Sequence, residues 1–196
     1  MGKIFYVMGK SATGKDTIYN RLLEMLPQLK PVILYTTRPL REGERDGKEY
    51  YFTTDDTLKK FREEGKLIEE RTYETALGLW SYFTVDDGQI ALEESNFYLM
   101  IGTLESYERT RNYYGREKLV PVYIEVEDGT RLSRALEREL HQKEPKYKEL
   151  CRRYLADEED FQEENLKRCG IERRFSNENL RECLKEIVKV IRKQLV

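Results

Sequence analysis

The chain has 196 residues, with 35 Lys and Arg against 37 Asp and Glu, which gives a formal net charge of −2. This balance excludes a surface that binds nucleic acid non-specifically, and an aromatic content of 11% argues against a disordered chain. No apolar run approaches the roughly 20 residues that a membrane helix needs. The N-terminus shows no signal-peptide pattern, so we expect a cytoplasmic protein.

Short apolar runs alternate with helical patterns along the chain. The patterns predict strands at 4–8, 32–35, 97–101 and 119–126, and helices at 17–26, 54–65, 105–114, 130–140, 147–165 and 177–195. Such alternation is typical of an α/β fold, in which helices flank a parallel sheet. The polar segment 36–90 interrupts the alternation and is interpreted as an inserted subdomain.

A glycine-rich segment follows the first predicted strand and leads into the first helix. Residues 9–15 read G-x-x-x-x-G-K, the pattern of a phosphate-binding loop. Its glycines let backbone N–H groups curl around a phosphate, and the helix N-terminus adds partial positive charge. Lys15 then reaches the β- and γ-phosphates of ATP. The simpler alternative is a glycine turn before an ordinary helix. The ATP-binding candidates in this segment are Gly9, Ser11, Thr13, Gly14, Lys15, Asp16 and Thr17.

The residue after Lys15 departs from the pattern, which has Ser or Thr there to bind Mg²⁺. Asp16 occupies the position, and Thr17 follows. A carboxylate beside a triphosphate is repelled unless a cation lies between them. Mg²⁺ accepts carboxylate oxygen readily. We therefore predict Asp16 as the metal ligand, with Thr17 as a possible helper.

A second candidate anion site follows the second predicted strand. Arg38 and Arg41 are three residues apart and could both face one phosphate, and Tyr50 could add a phenolic donor. The alternative is a solvated loop with local Arg–Glu pairs.

Together these motifs resemble the guanylate kinase family of P-loop nucleoside monophosphate kinases. Residues 36–44 read T-T-R-x-x-R-x-G-E and residues 47–52 read G-K-x-Y-x-F. The resemblance implies a P-loop NTPase fold: a three-layer α/β core with a parallel sheet, an inserted NMP-binding subdomain and a helical lid. It predicts one domain over 1–196, with core segments 1–35, 92–128 and 166–196, an insertion at 36–91 and a lid at about 129–165.

The resemblance also assigns roles to residues. Arg38, Arg41 and Tyr50 would hold the acceptor's monophosphate, Glu69 would contact the guanine edge, and Tyr82 and Thr84 would touch the acceptor. Arg134, Arg138 and Arg153, or its neighbour Arg152, resemble the lid arginines. With Lys15 and Arg38, the lid arginines Arg134, Arg138 and Arg153 form the expected catalytic set. Asn177 resembles the asparagine near the ATP adenine, with a plain helix cap as the alternative.

Two departures concern the acceptor's base. The family carries Asp-x-Asp at the end of a strand, whereas this chain has no aspartate within 99–105, and Leu34–Tyr35 replace the family's serine before the two threonines. Losing such partners weakens discrimination between bases. Lys15–Asp16 and Gly102–Thr103 are similar to features of ribose 1,5-bisphosphate phosphokinase, a relative that stays open as an alternative.

The resemblance therefore implies ATP-dependent phosphoryl transfer to a nucleoside monophosphate, with GMP as the first candidate and Mg²⁺ bound with ATP. A non-catalytic guanylate-kinase-like binding module is a further alternative, which the intact phosphate loop disfavours. Expected partners are nucleotide substrates, with neither nucleic acid nor membrane. We expect a monomer or a homodimer.

Overall fold

A computed structural model describes residues 2–41, 43–75 and 78–195. Glu42, a variable position of the arginine motif, and both ends of the predicted domain, Met1 and Val196, lie outside the described residues. The elements are β1 (Lys3–Met8), α1 (Lys15–Met25), β2 (Leu29–Pro31), β3 (Tyr35–Thr36), β4 (Tyr51–Phe52), α2 (Asp55–Glu63), β5 (Leu67–Thr75), β6 (Gly78–Val85), β7 (Phe97–Gly102), α3 (Leu104–Tyr114), β8 (Leu119–Glu125), α4 (Asp128–Leu140), α5 (Tyr147–Asp160), α6 (Glu163–Arg168), β9 (Arg174–Ser176) and α7 (Leu180–Gln194).

The core is a five-stranded parallel sheet in the order β2-β7-β1-β8-β9. Side chains of β1 alternate between its two faces, and both faces are buried. Tyr6 packs against Tyr107 of α3, whereas Phe5 packs in the cluster that contains Ile18 of α1 and Ile187 of α7. Helices thus cover both faces, because a strand that is apolar throughout must be buried on both sides. The predicted three-layer α/β class with a parallel sheet is confirmed.

A second sheet of four strands, in the order β4-β3-β6-β5, lies within the region where the sequence predicts an insertion. Its strands are antiparallel except for the parallel pair β3–β4. One face carries Phe83 and packs against Leu58 and Phe61 of α2. The other face carries Glu69 and Thr84, which are neighbours across β5 and β6. The division into core, insertion and lid stays a prediction.

The strand predicted at 32–35 is wrong in its bounds. β2 ends at Pro31, β3 begins at Tyr35, and the segment between them connects the two sheets. Val32 still donates its N–H to Leu99 O of the core sheet, whereas Leu34 accepts from Tyr51 N of the second sheet. The apolar side chains of this segment pack inside the protein because the chain runs there from one sheet to the other. Their sequence pattern therefore resembles that of a buried strand.

Two predicted helices also differ from the structure. The helix predicted at 147–165 breaks after Asp160, because Phe161 turns inward to stack on Tyr123 with its ring centroid 5.6 Å away. The helix predicted from 177 begins at Leu180, and Asn179 is its N-cap.

The end of β7, where the resemblance leads us to expect Asp-x-Asp, is closed to a side chain at Gly102. A Cβ there would overlap the Tyr6 hydroxyl and lie 2.6 Å from Ser106 Oγ. Tyr6 and Ser106 are hydrogen-bonded to each other, and burial raises the pKa of Tyr6. A buried pair of neutral hydroxyl groups therefore fills the space beside this strand end.

We predict that Gly102→Ala destabilises the protein by about 1–3 kcal/mol, because the added methyl overpacks a closed site. Urea unfolding measures the change. The matched control is Gly129→Ala, where the new Cβ would meet only the carboxylate end of Glu127 at 3.1 Å, and we expect stability within about 1 kcal/mol of wild type. Equal stability of both variants would contradict the prediction.

Candidate active site

The phosphate loop connects β1 to α1 in a conformation that few residues adopt. Ala12 and Gly14 have φ values of 63° and 82° in the left-handed region. A Cβ at Gly9 would lie 2.5 Å from Ile124 O, so only glycine fits beside β8. The Thr13 hydroxyl donates to Lys10 O at 2.8 Å. The loop is thus folded back on itself at the carboxyl end of the central strand.

Asn177 holds this loop from the segment that directly follows β9. Its side chain is buried, and its Nδ2 donates to Thr13 O at 2.7 Å. Its backbone N–H donates to Glu125 O, and its carbonyl accepts from Arg134 Nη2 at 3.1 Å. The alternative of a plain helix cap is wrong, because Asn179 has that role. Asn177 instead connects the loop to β8 and to Arg134 of α4.

Helix α5 also contacts the loop, through acidic side chains. Asp157 Oδ2 accepts from Ser11 N at 2.7 Å, and Glu158 Oε1 lies 2.8 Å from Lys10 Nζ. Arg131 is buried and bonds to Asp157 and Glu158 as well as to Asp128. Sequence reasoning missed this network, because only the fold brings α4, α5 and the loop together.

Lys15 and Asp16 begin α1. Lys15 Nζ lies 3.6 Å from Asp16 Oδ2, and the Asp16 side chain is 81% exposed. Thr17 is exposed as well. Within 2–41, 43–75 and 78–195, no group of three or more His, Cys, Asp or Glu side chains could hold a metal. One open carboxylate fits Mg²⁺, which commonly binds through one or two carboxylates plus substrate phosphates and water.

Arg38 is buried in the second anion site, in a position fixed by several contacts. Its Nη1 and Nη2 donate to Glu44 at 2.7 and 2.6 Å, and its guanidinium lies 5.2 Å from the ring centroids of Tyr50 and Phe52. Its Nε is buried and has no hydrogen-bond partner among the described residues. A buried donor left unpaired is costly, so this nitrogen is available to a bound anion.

The predicted acceptor residues Tyr50 and Tyr82 join Arg38, with their ring centroids 5.6 Å apart. Burial raises the pKa of Tyr50, and the nearby charges of Arg38 and Asp16 also act on it. The start of α1 is therefore near the group of Arg38, Tyr50, Phe52 and Tyr82, which we call the Arg38 cluster. Arg41 is exposed and lies 5.9 Å from the Trp80 ring centroid at the edge of this cluster.

Glu69 and Thr84 meet on the same face of the second sheet. Glu69 is buried, and its Oε1 accepts from Thr84 Oγ1 at 2.7 Å. The other carboxylate oxygen accepts from Arg71 Nε at 3.0 Å, a residue that sequence reasoning did not select.

Of the predicted lid arginines, one contacts a residue that holds the phosphate loop, and the others do not. Arg134 is half-buried against Asn177, whereas Arg138 is exposed. Arg152 and Arg153 both bond to Glu149, and in the described part of the chain neither bonds to the phosphate loop. The bond to Glu149 chiefly raises the pKa of Arg152, and nearby Tyr73 and Asp157 add to it.

A cavity of about 450 Å³ lies beside the phosphate loop. Lys10 and Thr13 line one side, and Asp128 lies at the start of α4. Ser176 and Glu178, which flank Asn177, line it as well. The cavity thus lies at the carboxyl ends of β8 and β9, and its volume is large enough for a nucleoside.

A parallel sheet with helices on both faces and a phosphate loop after its central strand defines a P-loop nucleotide-binding fold. Residues 1–82 match the guanylate kinase family model. The whole chain superposes on the crystal structure of guanylate kinase from Anaplasma phagocytophilum with a TM-score of 0.66 and 19% identity, over 87% of that chain. The resemblance to the guanylate kinase family is thereby confirmed, in sequence over the N-terminal part and in fold over the whole chain.

Sequence relatives match the N-terminal part as well. Guanylate kinase from Aromatoleum aromaticum is 40% identical over 68 residues, which is 35% of this chain and 33% of that protein. Guanylate kinase from Tropheryma whipplei (strain Twist) is 40% identical over 78 residues, which is 40% of this chain and 39% of that protein. The aligned part thus spans a third to two-fifths of these relatives.

Within the part of the chain that the structure describes, no helix has the length and apolar character to cross a membrane.

We predict that Glu44→Gln destabilises the protein by about 1–2 kcal/mol at neutral pH, because Arg38 loses its charged partner. The Arg38 bond lowers the pKa of Glu44 from 4.5 to about 2. The stabilisation is therefore present above pH 4.5 and is lost as the pH falls towards 2. Urea unfolding at several pH values measures it, with the exposed Glu63→Gln as control. A wild-type-to-variant difference that stays constant down to about pH 3 would contradict this prediction.

We also predict that Asp157→Asn tightens ATP binding by about three- to tenfold, because the carboxylate occupies a loop amide and repels phosphate. The amide oxygen of asparagine keeps a partner for Ser11 N. Calorimetric titration with ATP measures the Kd. Glu159→Gln removes an equal charge from an exposed position of α5 and should leave the Kd unchanged. Unchanged or weaker binding in Asp157→Asn would show that the carboxylate does not compete with ATP.

Proposed function

We propose that the protein transfers the γ-phosphoryl group of ATP to a nucleoside monophosphate, with GMP as the first candidate acceptor. The observation that carries this proposal is a phosphate loop together with a second anion site, in which the buried Arg38 Nε has no partner among the described residues. The charge of Asp16, at the start of α1, acts on the Tyr50 hydroxyl, which supports a position of the second site near the loop.

The reaction needs no covalent intermediate. An oxygen of the acceptor phosphate forms a bond to the γ-phosphorus as the bond from that phosphorus to the β–γ bridging oxygen breaks, and ADP leaves. Catalysis then consists of positioning and charge stabilisation. Lys15 and the loop amides of Gly9, Ser11, Thr13 and Gly14 hold the ATP phosphates.

The acceptor phosphate is held by the second anion site. Glu44 fixes the Arg38 guanidinium through two hydrogen bonds. The Arg38 Nε has no partner in the described protein and would donate to an oxygen of the acceptor phosphate. Tyr50 and Tyr82 line the same site, and Arg41 adds charge at its exposed edge. In this arrangement Arg38 orients the acceptor, and Arg41 strengthens its binding.

Asp16 would hold Mg²⁺, assisted by Thr17, and the bound cation would neutralise charge on the ATP phosphates. Arg134, which donates to the carbonyl of Asn177, would stabilise the transferring group. Arg138 and Arg153, or Arg152, approach only if α4 and α5 move towards the cleft. Asn177 acts by fixing the loop, and the adjoining cavity takes the ATP nucleoside. A cytoplasmic location and a monomer or homodimer stay predictions.

Ribose 1,5-bisphosphate is the second candidate acceptor. Its support is the closed end of β7, where Gly102 has no side chain and no acid is present to read a base. The phosphate-binding part of the acceptor site would serve either substrate.

The test is ADP release from ATP and Mg²⁺ with GMP, AMP, CMP, UMP, IMP or ribose 1,5-bisphosphate as acceptor. Lys15→Ala should lower the rate by at least about a hundredfold, since it removes a charge that stabilises the transition state. Arg41→Ala should chiefly raise the KM for the acceptor and leave the KM for ATP unchanged.

Arg45→Ala is the matched control for Arg41→Ala, because it removes an exposed arginine from the same loop. A wild-type acceptor KM in the Arg41→Ala variant, or loss of transfer in the Arg45→Ala variant, would contradict the acceptor assignment.

A further inference from the structure

Arg71 is a buried arginine beside the proposed acceptor site whose role the proposed function leaves open. It lies on β5, and only 10% of its side chain is exposed. It pairs with Tyr82 across β6, and the Tyr82 ring packs against Tyr50 of the Arg38 cluster. Directly opposed residues of neighbouring strands are about 5 Å apart. An acceptor held by its phosphate at Arg38 therefore extends towards Arg71.

The partner of Arg71 is Glu69, and both carboxylate oxygens of Glu69 already accept protein hydrogen bonds. Thr84 Oγ1 donates to one oxygen at 2.7 Å and Arg71 Nε donates to the other at 3.0 Å. The Glu69 side chain is fully buried. Burial alone would lower the pKa of Arg71, but Glu69 together with Tyr6 and Tyr73 more than offsets burial, and the pKa is raised. The two residues form a neutral pair, and no part of the Glu69 side chain is exposed to accept a further bond.

The guanidinium keeps donors that Glu69 does not use. Nη1 lies 3.4 Å from Thr103 Oγ1, a distance at which the bond is weak. No hydrogen bond in the described ranges uses Nη2. The closed end of β7 adds no acid beside these donors, because Tyr6 and Ser106 fill the space at Gly102. This end of the site therefore offers donors, and its one carboxylate is already paired.

We infer that Arg71 determines which acceptor the site takes, by donating hydrogen bonds to an oxygen at the end remote from the transferred phosphate. The inference rests on the proposed phosphate-binding role of the Arg38 cluster. A purine 6-oxo group, a pyrimidine 4-oxo group and a second phosphate all present such an oxygen. An amino group at the same place is itself a donor, so it cannot accept a hydrogen bond from Arg71. Arg71 is then left unpaired, and such a site strongly disfavours binding of that acceptor.

The experiment measures acceptor binding directly by calorimetry, so that it does not depend on phosphoryl transfer. Two matched pairs exchange oxygen for an amino group: IMP with AMP, and UMP with CMP. We expect the oxygen-bearing member of each pair to bind at least about tenfold more tightly. GMP and IMP should bind within about tenfold of each other, because Glu69 is already occupied. Ribose 1,5-bisphosphate distinguishes a phosphate oxygen from a base oxygen.

Arg71→Gln should weaken binding of the tightest acceptor by about ten- to hundredfold. It should also reduce the ratio of the two Kd values within each matched pair to near one and leave the Kd for ATP unchanged. Arg71→Lys retains the charge but not the two-pronged donor, and it should fall between wild type and Arg71→Gln. If Arg71→Gln unfolds, as thermal melting would reveal, Arg71→Lys alone carries the comparison. The control Arg62→Gln breaks an Arg–Glu pair of the same subdomain, with Glu70, in which the arginine is 54% exposed.

Equal binding within each pair by the wild type would overturn the inference, and so would unchanged ratios in a folded Arg71 variant. Failure of the wild type to bind any of these acceptors would overturn it as well. Selective binding that depends on Arg71, without any ADP release, would uphold the inference and reject the kinase function.

Discussion

The site depends on keeping the phosphate loop folded back on itself at the end of β1. Ala12 and Gly14 sit in the left-handed region, which a free chain rarely holds. The Asn177 side chain fixes the loop at Thr13 O, and the Asp157 carboxylate fixes it at Ser11 N. These two contacts come from segments more than 140 residues away in the chain. The loop conformation therefore depends on the whole fold.

Charge is arranged differently at the two ends of the proposed acceptor site. At the phosphate end, Glu44 fixes Arg38 but leaves one donor unpaired. At the remote end, Arg71 neutralises Glu69 and leaves donors of its own. Each arginine is therefore positioned by a carboxylate before any substrate binds, which lowers the entropy cost of binding. Both ends favour groups that accept hydrogen bonds, and this common preference connects the proposed phosphate and oxygen recognition.

Much of the core was predictable from the sequence because its signals are local. The apolar run after Lys3 and the G-x-x-x-x-G-K pattern predict β1, the loop and α1 within a few residues. The strand prediction over the segment 32–34 was wrong, because burial between two sheets gives the same apolar pattern as a strand. Arg131 and Arg71 could not be found, because a buried arginine has no local signature and its partners are set by tertiary packing. Asn177 was selected by resemblance, but its bond to Thr13 O required the structure.

The central claim is that one cleft brings ATP and a monophosphate together for direct transfer. The most direct test is ³¹P nuclear magnetic resonance of the wild-type protein with ATP, Mg²⁺ and GMP, repeated with each other acceptor. We expect the paired resonances of a new diphosphate, on the nucleoside or on the sugar, to grow as ADP appears. ATP that stays intact with every acceptor, or that yields only ADP and inorganic phosphate, would contradict it.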